Sequence, residues 1–139
     1  MRKILGTLLI LAALVACHAA PPTPSNLLRA ELVRLTGKPA KDCGLVTLGT
    51  SPDAGWSCAG KADKNKQPFW FAVERRGIDS DIWEAIGRDS NGGRFLLVYD
   101  SNPYGSPDLH PRFNRDTCVG EFVFTPSKNA ALGCRRHAP

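Results

Sequence analysis

Apolar positions along the chain fall into three textures. Residues 4–16 are almost unbroken in apolarity, residues 25–36 carry apolar residues at helical spacing, and beyond residue 43 short β-like runs alternate with turn residues. In the second texture Leu28, Leu32 and Leu35 stand at i, i+4 and i+7, Leu27 widens the stripe, and Arg29, Glu31 and Arg34 take the wet side. That spacing predicts an amphipathic helix over 25–36 whose leucines need a sheet to cover them. Ser25 is the expected N-cap, Gly37 the C-terminal cap, and Pro39 forbids continuation.

The third texture predicts strands at 45–48, 56–62, 69–75, 94–99 and 118–124, with a short last one around 132–134. The segment 81–88 admits two readings. Ile82, Ala85 and Ile86 fit a helix capped by Ser80, whereas Trp83 with two isoleucines suits a strand. The Asp89-Ser90-Asn91-Gly92-Gly93 stretch is natural hairpin chemistry leading into 94–99, so a strand is expected. The result is an α+β fold, one N-terminal helix packed on an antiparallel meander of about five or six strands. Trp56, Trp70 and Trp83 are expected in or beside its core.

The first texture is a leader. Arg2 and Lys3 precede the apolar run, which is too short to serve comfortably as a permanent membrane span. It ends in Leu14-Val15-Ala16-Cys17. This resembles the lipobox of bacterial lipoproteins, in which a branched apolar residue and small residues precede an acylated cysteine. The resemblance covers the leader alone. It implies cleavage before Cys17, diacylglycerol on the Cys17 thiol and several acyl chains, enough for stable anchoring. In a two-membrane host it also implies an outer-membrane destination, facing the periplasm or the surface, because His18 is not the usual inner-membrane retention residue. The competing expectation is ordinary cleavage after Ala19, giving a soluble periplasmic or secreted protein. The expected organisation is a signal peptide over 1–16, lipid attachment and a proline-rich tether over 17–24, and one domain over 25–139.

Five cysteines less Cys17 leave four, an even number suited to an oxidising compartment. Of the three possible pairings, Cys43 with Cys58 and Cys118 with Cys134 close the shortest loops and are preferred. Zinc spacings of the CxxC or HxxxH kind do not occur, and no metal or cofactor is expected. The chain carries +5, of which Arg2 and Lys3 supply two, leaving 5 − 2 = +3 without a basic run. Nucleic acid is therefore not an expected partner.

The candidate chemistry lies in 100–117, proline-rich and without periodicity, which reads as one long loop. Asp100, Asn102, Tyr104, His110 and Arg112 are its candidate partner-binding residues. Asp-Ser-Asn at 89–91 and 100–102 resembles fragments of a calcium loop but lacks the full ligand pattern, and is expected to be turn chemistry. The expected function is a non-catalytic cell-envelope lipoprotein, held to a membrane by lipid and binding an envelope protein or wall component through that loop. One alternative is a small inhibitor of a hydrolase, a class the chain resembles only in size, export and disulfides. Another is a small exported enzyme working through His110, the one histidine outside the tether and the C-terminal tail.

Overall fold

The computed structural model describes residues 22–105, 112–125 and 131–135. Cys17, His110 and the expected signal peptide lie outside them. The elements in chain order are α1 (Pro24–Thr36), β1 (Lys41–Val46), α2 (Asp53–Lys64), β2 (Phe69–Arg76), β3 (Asp81–Arg88), β4 (Arg94–Asp100), β5 (Arg112–Thr117), β6 (Glu121–Thr125) and β7 (Ala131–Arg135). The class is α+β, as expected, with two helices among the described residues rather than one.

Helix α1 begins one residue earlier than the pattern suggested. Thr23, not Ser25, is the N-cap, its Oγ1 accepting the Asn26 N–H at 3.3 Å. Pro24, expected in the tether, is the first helical residue, where a missing N–H costs nothing. Gly37 ends the helix at φ 85°, with its N–H donating to the Val33 carbonyl.

Helix α2 replaces the strand expected over 56–62. Its buried residues are Gly55, Ala59 and Ala62, at i, i+4 and i+7, so its sheet-facing stripe is made of small side chains. The bulk at that contact comes from the sheet. A Cβ on Gly55 would lie 2.2 Å from a ring carbon of Phe71, so the helix approaches the strand this closely only through glycine. Asp53 in the first turn and Lys61 and Lys64 in the last complement the helix dipole.

The main sheet has the order β1-β2-β3-β4-β5. β2 to β5 form an antiparallel meander, expected for β2, β3 and β4 but not for β5. β1, however, pairs with β2 in parallel, because α2 is the crossover that parallel neighbours require. One extra residue is accommodated in β1 between Asp42 and Leu45. There Gly44 takes φ 105° and donates to Asp42 Oδ1 at 2.8 Å. Cys43, within this bulge, reaches α2 and pairs with Cys58.

Two further differences concern the second half. Residues 112–117 of the expected loop form edge strand β5, in which only Phe113 turns inward, packing on Tyr99 with ring centroids 5.0 Å apart. The strand expected over 118–124 starts only at Glu121. Cys118 to Gly120 are a link, and Val119 stands in solvent. β6 leaves the main sheet and pairs with β7 in a separate hairpin. Cys118–Cys134, also as expected, ties this hairpin to the end of β5.

Each sheet face is covered. Leu28 and Leu32 of α1 pack on Trp70, Ala72, Trp83, Ala85, Phe95, Leu97 and Tyr99. On the other face, α2 and the β6–β7 hairpin cover Phe69, Phe71, Val73 and Ile86, with Leu132 buried among them. Two disulfides fit an extracellular or periplasmic domain. Among the described residues no helix is long and apolar enough to cross a membrane.

Candidate functional site

Strand register makes Arg88, the last residue of β3, the direct partner of Arg94, the first of β4, across the hairpin turn at 89–93. Both project to the face crossed by α2, and Asp63 in the last turn of α2 meets them. Arg88 donates from Nε and Nη2 to Asp63 Oδ1 at 3.1 and 2.7 Å. Arg94 donates from Nε to the same oxygen at 3.0 Å and from Nη2 to Oδ2. The remaining nitrogens serve the backbone: Arg88 Nη1 donates to the Gly92 carbonyl at 2.9 Å, Arg94 Nη1 to the Gly120 carbonyl at 2.7 Å. The side chains retain only 12% (Arg88), 23% (Arg94) and 15% (Asp63) of their exposure.

Burial acts to raise the Asp63 carboxyl, yet hydrogen bonds and charges from Arg94 and Arg88 outweigh it and hold the carboxyl below the ordinary aspartate range. Asp63 is therefore ionised at neutral pH, and the cluster carries 2 − 1 = +1. Among the described residues each terminal guanidinium nitrogen makes one hydrogen bond and so has a second N–H to offer.

These arginines form part of a groove of about 470 Å³ between α2 and β6. Trp56, Ala59, Ile86 and Phe122 supply apolar wall, and Lys64, Lys66, Glu121 and Asp63 the remaining charge. The aromatic side is braced: Trp56 packs on Phe124 with centroids 5.0 Å apart, and the Arg94 guanidinium lies 4.9 Å above the Phe122 ring. Lys66 takes φ 55°, the one left-handed non-glycine among the described residues, and lies on the groove margin. The volume falls in the range of small-molecule sites, and its cations outnumber its carboxylates by four to two.

The residues singled out from sequence lie elsewhere. Asp100 ends β4, and its Oδ1 accepts the Asn102 N–H at 2.9 Å, an Asx turn. Among the described residues, Asn102 Oδ1 is buried and has no hydrogen-bond partner. Tyr104 is exposed, receives a hydrogen bond from Arg112 Nη1 and lies 5.7 Å beneath that guanidinium. Arg112 is the strand partner of Asp100. The fold thus gathers Asp100, Asn102, Tyr104 and Arg112 at one end of the sheet, while His110 lies outside the described residues. The Asp89 carboxylate likewise caps its own turn, accepting from Asn91 and Gly93 at 2.9 and 2.8 Å.

Asp63, Arg88 and Arg94 do not stand out as a group in the sequence. The available signal was the pair of arginines bracketing a hairpin turn, which must face each other across the ladder. Asp63 was hidden because its segment was not read as a helix. No family model, curated protein or solved structure matches the chain.

Proposed function

We propose that this is a non-catalytic binding protein of the cell envelope, anchored through an acylated Cys17, that takes an organic anion with an apolar body in the α2–β6 groove. The observation that carries the proposal is the half-buried Arg88–Asp63–Arg94 cluster, with a charge of +1 and guanidinium N–H groups to offer beside Trp56 and Phe122. A carboxylate accepts from a guanidinium as a charge-assisted pair, and the aromatic wall would cover an adjoining apolar group. The C-terminal end of a peptide is the form in which an envelope protein or a wall peptide presents that combination. The two disulfides and the lipobox-like leader support the compartment.

The proposal is tested by calorimetric titration with N-acetylphenylalanine, for a protein terminus, and N-acetyl-D-alanyl-D-alanine, for a wall peptide. Saturable binding of one acid, lost in its amide, is the expected result. Arg94→Met should weaken it at least tenfold, whereas Tyr104→Ser leaves it unchanged. Equal binding of acid and amide, or equal loss in both variants, would sink the groove as the site.

A further inference from the structure

Four large apolar or aromatic side chains stand out into solvent among the described residues: Leu48, Ile78, Tyr104 and Val119. The first three share one end of the molecule. Ile78, fully exposed, is in the turn joining β2 to β3. Leu48 follows β1, and its N–H donates to Glu74 Oε2 of β2 at 3.0 Å. Tyr104 follows β4 in a loop held to the start of β3 by Ser101, whose Oγ accepts the Asp81 N–H at 2.7 Å.

The chain enters the domain at this same end. Pro24 and Ser25 of α1 line a shallow cleft with Thr47, Glu74, Asp81 and Trp83. Six residues, 18–23, separate Cys17 from α1, and even fully extended they reach only about 20 Å. The Arg88–Arg94 groove lies at the opposite end of the strands, about 25 Å away for strands of eight residues.

We infer that the end bearing Leu48, Ile78 and Tyr104 rests against the lipid bilayer, so that the groove points away from it. This rests on the anchoring proposed above. A short tether confines the domain near the surface, which favours even weak contacts. Ile and Leu gain by leaving water there, and Tyr, with one apolar and one polar end, suits the interface. Charge does not drive the contact. Among the described residues, Glu74, Asp79, Asp81 and Asp100 outnumber Arg76 and Arg112 at this end, and Arg75 is paired with Glu84, so the contact does not call for anionic lipid.

The test is amide hydrogen exchange on the acylated protein in phosphatidylcholine nanodiscs. A parallel sample of residues 18–139 with an N-terminal hexahistidine is held on nickel-chelating lipid, so orientation is read whether or not Cys17 carries lipid. Exchange at 47–50, 77–80 and 102–105 should slow severalfold relative to the free domain, with 64–66 and 89–93 unchanged. The combined Leu48→Ser, Ile78→Ser, Tyr104→Ser variant, altered only at exposed positions, should lose the slowing while keeping its melting temperature. No slowing at this end, equal slowing at both ends, or slowing that survives the triple variant would overturn the inference. If the nickel-held sample behaves as expected but mass analysis finds Cys17 unmodified, the anchoring fails and the lipid-facing surface stands.

Discussion

Asp63 ties three elements together through one carboxylate. It connects α2 to β3 and β4, and Arg94 extends the connection to Gly120 before β6. Asp63→Ala leaves two poorly solvated guanidinium groups without their counter-charge. Breaking such a pair costs about 3 kcal/mol, the low end for buried pairs because the groups keep some contact with water; urea unfolding measures it. The pH dependence has a definite sign. The folded-state pKa of Asp63 lies below its unfolded value of about 3.9. Its contribution is therefore complete above pH 4 or so and is lost as pH falls through the folded value. The stability gap between the wild type and Asp63→Asn, which cannot titrate, should be constant near neutrality and shrink below about pH 4. A constant gap down to acid unfolding would contradict the role given to Asp63. Gly55 acts by what it lacks: an added methyl would meet the Phe71 ring and the Cys43 carbonyl. Gly55→Ala should cost about 1–3 kcal/mol of overpacking, seen as a lower denaturation midpoint at unchanged slope.

The two disulfides staple different elements, and their removal should be felt in different places. Cys43–Cys58 ties the β1 bulge to α2, and Cys118–Cys134 ties the β5–β6 link to β7. On loop entropy each contributes about 3 kcal/mol. The Cys43→Ala, Cys58→Ala variant should speed exchange in α2 and β1, and the Cys118→Ala, Cys134→Ala variant in β6 and β7. Uniform acceleration in both would show the domain opening as one unit. Legibility from sequence also divides by element. β2 and β4 were readable from their runs of aromatic and branched residues, β3 from Trp83 and its isoleucines together with the hairpin turn that follows, and both pairings because each closes a short loop. α2 was not: its buried stripe is glycine and alanine, invisible to a search for bulky apolar periodicity. That single omission also concealed the parallel pairing of β1, which depends on a crossover helix. β5 was read as loop because an edge strand that buries only Phe113 can be polar at almost every other position, as edges that resist aggregation are. The groove needed α2 for its existence, so its residues could not be assembled from the pattern, while the proline-rich segment drew notice through composition alone.

At the scale of the whole molecule, the strands separate two ends of different character: a charged groove at one, and the entry of the chain with three exposed apolar side chains at the other. That polarity makes sense for a domain held close to a surface and presenting a site outward, and it depends on the protein having left the cytosol with Cys17 modified. The most direct measurement is the intact mass of the protein isolated from its native membranes, alkylated before and after reduction. The account predicts a chain beginning at Cys17 with added acyl mass, no alkylation before reduction and four alkylated cysteines after it. A chain still beginning at Met1, with its cysteines alkylated without reduction, would contradict the account.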